Sequence, residues 1–361
     1  MARIELKGLA HSYKEAPAAP TDYALRQMDM TWEDGGAYAL LGPSGCGKTT
    51  LLNIISGLIR PSRGQVLFDG RDVTDLAPQQ RNIAQVFQFP VIYDTMSVFD
   101  NLAFPLRNRG HGEVEVRSRV HEVAEMLELG SDLRRRASGL GADAKQKISL
   151  GRGLVRKDVA AILFDEPLTV IDPHIKWILR RKLKQIHQQF RLSLIYVTHD
   201  QVEALTFADQ VVVMYDGQVV QLGTPQQLFE APAHVFVGYF IGSPGMNFLP
   251  CRIEGEAAVV DGARLPLPAA RLRQAASAGG ELQLGIRPEF LRCLAAPEPG
   301  ALAAEFQSVE DLGNYKIVTA RLGAHSLKAK VPEDETVATG QGWLLLPPER
   351  TLFYAGGRAV G

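Results

Sequence analysis

The sequence predicts an α/β domain with a largely parallel sheet, followed by a smaller all-β domain. Three observations predict it. Short apolar runs alternate with helical patterns up to about residue 242, and a glycine-rich segment, G-P-S-G-C-G-K-T, lies between one such run and one such helix. Beyond Gly242 the chain changes to short alternating segments, such as 317–322, separated by Gly and Pro.

Taken in order, Ala37–Leu41 reads as a strand, and residues 50–58 read as a helix with apolar side chains at 51, 52, 54, 55 and 58. The runs 159–164 and 192–197 are apolar with little alternation, which suits strands covered on both faces. Between about residues 90 and 157 the pattern is mostly helical and polar, with apolar spacing through Val116, Val120, Val123, Ala124 and Leu127, and it reads as a helical insertion. Residues 211–215 and 218–222 flank Asp216-Gly217, a pair that supplies the positive φ angles of a tight type I′ hairpin. G-S-P-G at 242–245 punctuates the chain, so the expected division is 1–242 and 243–361, the second part a Greek-key barrel. A-P-A-A-P at 16–20 reads as a loop insertion, and the triple Arg134, Arg135, Arg136 as a solvated helix face.

Composition narrows the function classes. With 361 residues the chain is long enough for two or three domains, each with its own core. Lys plus Arg number 39 and Asp plus Glu 40, a formal charge of −1, which removes the electrostatic footprint of a general nucleic-acid binder. The 46% hydrophobic and 22% charged content is that of a folding chain. Cys46, Cys251 and Cys293 are odd in number and lack C-x-x-C spacing, so no disulfide framework or zinc site is expected and a reducing compartment fits. No apolar run reaches the roughly 18 residues of a membrane span and the N-terminus lacks a signal-peptide core, so a chain soluble by itself is expected.

The chemistry begins at residues 42–49. Gly42, Pro43, Ser44, Gly45, Cys46, Gly47, Lys48 and Thr49 match G-x-x-x-x-G-K-[ST] in the strand-to-helix context that gives the pattern meaning. Backbone N–H groups of such a loop turn inward around phosphate oxygens, and the helix that follows, with Thr50 in its first turn, directs its positive end there. Lys48 is expected to reach the β- and γ-phosphates of ATP, and the Thr49 hydroxyl to ligate Mg²⁺. The bland alternative is a glycine turn capping an ordinary helix. The apolar run ending in Phe164 delivers Asp165 and Glu166, followed by Pro167, at the carboxyl edge of a parallel sheet, where the phosphate loop also lies. Asp165 is expected to hold Mg²⁺ and Glu166 to take a proton from attacking water, against the alternative of a helix cap and turn. His199, in T-H-D after the 192–197 run, emerges on the same edge and can bond a γ-phosphate. Gln88, in V-F-Q-F-P, reads by chemistry alone as a loop residue.

The phosphate loop, Gln88, L-F-D-E-P at 163–167, Asp172 and His199, in that order and spacing, resemble the ATPase subunit of an ATP-binding-cassette transporter. G-T-P at 223–225, F-I-G-S-P-G-M-N at 240–247 and G-I-R-P-E at 285–289 resemble the bacterial carbohydrate-importer branch, whose C-terminal regulatory domain has the oligonucleotide/oligosaccharide-binding fold. The resemblance covers the whole chain. It implies that Tyr13 stacks on adenine, with Tyr23 as runner-up because the intervening loop is long, and that Gln88 links Mg²⁺ and the attacking water to the membrane partner. It also implies that Asp172 contacts an opposing ATPase subunit. The implied partners are transmembrane permease subunits, a second ATPase subunit and, indirectly, a periplasmic or extracellular solute-binding protein, with no nucleic acid. The implied location is the cytoplasmic face of the bacterial inner membrane.

One motif departs. Where the family carries L-S-G-G-Q, which closes on nucleotide bound to the other subunit, this chain has Leu140, Gly141, Ala142, Asp143 and Ala144, ahead of a helix over 146–154. Serine is absent and Asp143 sets a negative charge near phosphate, a repulsion of about 3 kcal/mol at roughly 6 Å and an effective dielectric near 20. Ser138-Gly139 substitutes only if the loop carries an insertion. The family's S-A-L-D segment, which ends in that interface aspartate, is likewise altered, to T-V-I-D at 169–172. A heterodimer is therefore expected, with Lys48, Asp165, Glu166 and His199 of this chain completed by an intact signature from a paralogue. Such asymmetric pairs resemble those of bacterial glycerol and polyol importers. The rival readings are a catalytically impaired regulatory subunit, a soluble phosphate-loop kinase, and a cassette ATPase acting on DNA or ribosomes.

Overall fold

A computed structural model describes residues 2–360. The chain opens with β1 (Ile4–His11), β2 (Leu25–Trp32), β3 (Ala37–Leu41), α1 (Lys48–Ser56), β4 (Arg63–Phe68), β5 (Arg71–Asp72), α2 (Pro78–Arg81) and β6 (Ala84–Val86). Three helices follow, α3 (Val98–Arg107), α4 (Glu113–Met126) and α5 (Ala142–Leu154). Then come β7 (Ile162–Asp165), α6 (Pro173–Phe190), β8 (Leu194–Thr198), α7 (Gln201–Phe207), β9 (Gln210–Tyr215) and β10 (Gln218–Gly223).

The expected parallel sheet is present, with strand order β10-β9-β3-β8-β7-β6. Strands β9, β3, β8, β7 and β6 run parallel, and β10 returns antiparallel on the hairpin at Asp216 (φ 49°) and Gly217 (φ 71°). All five residues of β3 and all five of β8 are buried, so their unbroken apolar character records helices and sheet on both sides. A second, four-stranded antiparallel sheet, β2-β1-β4-β5, adds a layer that the apolar runs alone do not predict. Its inward residues Ile4, Leu6, Leu9, Leu25, Trp32 and Val66 share one core with Leu51, Leu52, Ile54 and Ile55 of α1 and with Leu163 and Ile195 of the parallel sheet. Helix α1 is thereby fixed between two sheets, and its first turn is held still where the glycine-rich loop meets it.

The helical insertion is α3 to α5. Val116, Val120, Val123, Ala124 and Leu127 all have zero exposure, as the spacing predicts. Arg134, Arg135 and Arg136 correct an expectation: they are exposed, but between two 3₁₀ turns rather than on a helix, with Arg135 paired to Asp132. The helix after them begins at Ala142, not at residue 146.

The chain divides into two compact units, one up to Pro225 and one from Gln226 onward. The sequence punctuation at 242–245 lies later than this division, because residues 226–241 pack within the second unit. There, the guanidinium of Arg287, 1% exposed, donates to carbonyls of Leu228, Phe229, Gly238 and Ile241 and lies 4.2 Å from the Phe229 ring centre. These residues belong to α8 (Pro225–Glu230) and to α9 (Val235–Phe240) with its cap. The remainder is β11 (Asn247–Glu254), β12 (Ala257–Val260), β13 (Ala263–Pro266), α10 (Ala269–Ala278), β14 (Leu282–Ile286) and β15 (Arg292–Leu294). It ends with β16 (Ala301–Asp311), β17 (Tyr315–Leu322), β18 (His325–Pro332), β19 (Gly340–Leu345), β20 (Leu352–Ala355) and β21 (Arg358–Val360). Two antiparallel sheets, β13-β12-β11-β14-β20-β21 and β15-β19-β16-β17-β18, enclose one apolar core. The β-rich reading holds, with one helix it did not include: half of α10 is Ala, the strongest helix former, and it buries Leu272 and Ala275.

Leu163, fully buried in β7 beneath the strand end that carries Asp165 and Glu166, gives a test of this packing. Leu163→Ala is expected to cost about 3 kcal/mol of stability, read as a lower denaturation midpoint with an unchanged slope.

Candidate active site

The register of three neighbouring strands places the chemistry. Leu41 pairs with Thr198 across β3 and β8, and Asp165 pairs with Val197 across β7 and β8, so the loops leaving all three strands emerge level with one another. Gln88 follows β6, the next strand along, and is half-buried.

After β3 the chain turns through the phosphate-loop segment. Gly47 caps α1 at φ +101°, a left-handed conformation, and a Cβ there would lie 2.5 Å from the Ala24 carbonyl oxygen. At Gly42 a Cβ would come within 2.3 Å of the Met214 carbonyl oxygen. Both positions therefore exclude side chains for spatial reasons. No side chain caps α1, which leaves its first-turn N–H groups available to an anion. The Lys48 ammonium is folded into the loop, 5% exposed, and donates to the carbonyls of Gly42 at 2.8 Å and Pro43 at 2.9 Å. Ser44, Gly45 and Thr49 are exposed at the mouth, with Pro43 and Thr50 half-buried, while Cys46 is buried and its thiol is pushed up by burial.

The Thr49 hydroxyl donates to Asp165 Oδ1 at 3.3 Å. Burial raises the Asp165 carboxyl above its usual range and the neighbouring Glu166 adds to this, while the Thr49 hydroxyl opposes it. A half-buried carboxylate beside a hydroxyl is a hard-oxygen pair at the phosphate loop, a donor set that suits Mg²⁺ shared with phosphate oxygens. Glu166 has φ +46°, a strained value for a non-glycine residue that turns its side chain out of the strand, and Pro167 follows. Its Oε2 accepts from His199 Nδ1 at 3.1 Å and from the Thr169 hydroxyl at 3.3 Å. Glu166 and His199, expected on one edge, are thus in direct contact. The one-residue offset between their strands is set by the Glu166 N–H, which donates to the Val197 carbonyl at 3.0 Å.

Tyr13 is 66% exposed, and its hydroxyl shares a hydrogen bond of 3.1 Å with the Thr50 hydroxyl, whereas Tyr23 is half-buried. Asp172 is exposed and caps α6, accepting from the His174 N–H at 2.9 Å.

In the signature region Gly141 is the N-cap of α5, with no side-chain bond to the helix, and Asp143 stands in the first turn. Ser138 and Gly139 belong to a 3₁₀ turn upstream of that cap. A residue the sequence reading missed is Gln146. Fully buried, its side-chain amide donates to the Pro167 carbonyl at 2.6 Å and to the Phe87 carbonyl at 3.5 Å. It joins the signature helix to the segments carrying Glu166 and Gln88. Nothing local marks this role, because both acceptors are backbone atoms distant in sequence.

Known proteins resemble this chain over both of its compact units. Residues 25–169 match the ABC transporter family model, and residues 242–291 match that of the MalK OB fold domain. The sn-glycerol-3-phosphate import ATP-binding protein UgpC of Yersinia enterocolitica is 37% identical over 98% of this chain and 97% of its own length. The protein of the same name from Burkholderia mallei is 38% identical over 98% and 97%. Among solved structures, CbiO1 of Clostridium perfringens, part of the ABC transporter complex CbiONQ, matches at a TM-score of 0.57 and 25% identity, covering 63% of this chain and 90% of that one. The ADP conformation of the ATP-binding cassette MJ1267 matches at 0.54 and 21% identity, over 64% and 96%, and shows the fold.

The raised carboxyl of Asp165 has a consequence for stability. A carboxyl whose folded value lies above its unfolded value favours the protonated native state, so its ionisation lowers stability as pH rises through that interval. Asp165→Asn is expected to raise the melting temperature of the nucleotide-free protein at pH 7 and to lose that gain below about pH 4. Thermal scans at the two pH values check it.

Proposed function

The chain belongs to the ATP-binding subunits of ABC transporters, and from that premise we propose the residue roles, partner arrangement and cargo that its site supports. It is an ATP-hydrolysing subunit that energises solute import through membrane permease subunits. Among the described residues no helix is long and apolar enough to cross a membrane. Attachment to permease subunits on the cytoplasmic face of the inner membrane is the arrangement we infer.

The observation that carries the mechanism is the contact between Glu166 and His199 at 3.1 Å beside the phosphate loop. Tyr13 stacks on adenine, the loop amides of residues 42–49 surround the phosphates, and Lys48 exchanges its two carbonyl acceptors for β- and γ-phosphate oxygens. Thr49, Asp165 and, through the membrane-facing segment, Gln88 would hold Mg²⁺, which when bound offsets charge on the β- and γ-phosphate oxygens. Glu166 takes the proton of a water that attacks the γ-phosphorus, the bond to the β–γ bridging oxygen breaks, and ADP and phosphate result. His199 holds the Glu166 carboxylate and faces the transferred phosphoryl group. Glu166→Gln is expected to retain ATP binding and to lower hydrolysis at least about a hundredfold.

The signature region supports pairing with a different ATPase subunit. Helix α5 begins at Ala142 with Asp143 in its first turn, so a carboxylate already occupies the positive end that would face the opposing nucleotide. This chain supplies a complete set of cis residues and an impaired trans clamp. The full-length relatives named for sn-glycerol-3-phosphate import support a phosphorylated or free polyol as the cargo. Purified alone, the chain is expected to bind ATP and hydrolyse it slowly. Replacing Gly141, Ala142, Asp143 and Ala144 with Ser, Gly, Gly and Gln should raise that rate about tenfold or more, and a fast unmodified homodimer overturns the pairing.

A further inference from the structure

The loop between β1 and β2 is organised around one side chain that the site described above does not use. Asp22 lies at the end of the A-P-A-A-P insertion, and its carboxylate accepts from the Lys14 ammonium and from the backbone N–H groups of Ala18 at 2.9 Å and Ala19 at 3.0 Å. Its main-chain carbonyl accepts from the Ser12 hydroxyl at 2.8 Å, and that hydroxyl in turn accepts from the Lys14 N–H at 3.0 Å. The two residues flanking Tyr13 are thus both tied to Asp22, one through its carbonyl and one through its carboxylate. On its inner side Tyr13 meets the edge of His11, ring centres 4.6 Å apart and nearly perpendicular, and its hydroxyl reaches Thr50 in the first turn of α1. The ring therefore stands exposed but clamped at both neighbours and at its tip.

An exposed aromatic ring gains from stacking on a base only what remains after it is immobilised, so a ring already fixed binds more tightly than a mobile one. We propose that Asp22 is a positioning residue for the nucleotide base: it holds the inserted loop closed so that Tyr13 is pre-set for stacking, and it contributes to affinity for the base and not for the phosphates. This rests on the reading that Tyr13 carries the adenine. The hydrogen bonds that organise the loop also hold the Asp22 carboxyl down at about 2, so the tie to Lys14 is intact throughout the working pH range. Burial shifts the His11 ring downward, which favours its neutral form beside Tyr13.

The experiment compares the purified full-length chain with Asp22→Ala, Asp22→Asn, Lys14→Met and Tyr13→Ala, titrating each with ATP and with inorganic triphosphate. Tyr13→Ala is expected to weaken ATP about tenfold. Asp22→Ala and Lys14→Met should weaken ATP about threefold to tenfold and leave triphosphate affinity unchanged. Asp22→Asn, which keeps an acceptor for the Ala18 and Ala19 amides, should recover part of the loss. In steady-state assays KM for ATP should rise with kcat preserved. If Tyr13→Ala weakens ATP and Asp22→Ala does not, or if Asp22→Ala weakens ATP and triphosphate equally, the role of Asp22 is overturned while the stacking reading stands. If Tyr13→Ala itself leaves ATP binding unchanged, the stacking reading fails and Asp22 has no base to position.

Discussion

Three adjacent parallel strands that end level with each other are the constraint on which the site depends. Backbone hydrogen bonding between β3, β8 and β7 fixes where Gly42, His199 and Glu166 leave the sheet, and a slip of one residue would turn each side chain to the opposite face. The strands can hold that register because they are buried on both sides, so any slip would also expose apolar side chains or strand backbone groups without partners. The charged residues of the site are affordable only there, at the rim, where the sheet stops and solvent or nucleotide can meet them.

Most of this rim was legible in the sequence, for a physical reason. The phosphate-loop segment needs glycine where a Cβ would strike Ala24 or Met214, and its G-x-x-x-x-G-K-[ST] pattern is written in consecutive residues. Glu166 and His199 are legible because each follows directly on an apolar run whose direction in a parallel sheet is known. The long-range links are another matter. Gln146 meets two backbone carbonyls, and a carbonyl carries no residue identity for a sequence to display. Arg287 is a similar case: its cradle of four carbonyls draws residues 226–241 into the second compact unit, ahead of the Gly and Pro punctuation. The antiparallel sheet of β1, β2, β4 and β5 went unseen as a layer because β1 mixes alternation with consecutive burial, a pattern midway between one-sided and two-sided strands.

Local stability and distant chemistry conflict at Asp143. Within its own helix a carboxylate in the first turn is favourable, by about 0.3–1 kcal/mol, since it complements the helix dipole. In the pairing proposed above, the same carboxylate would oppose a phosphate across the dimer. The changed signature thus carries no folding penalty within the chain itself.

Gln146 carries that separation further. Its buried amide fastens helix α5 to the backbone just past Glu166, inside one polypeptide, whatever stands at residues 141–144. A helix with an altered tip is still moored to the strand end that carries Glu166. Any displacement of that helix is therefore passed to the backbone beside Glu166, so the tether holds whichever residues stand at the helix tip.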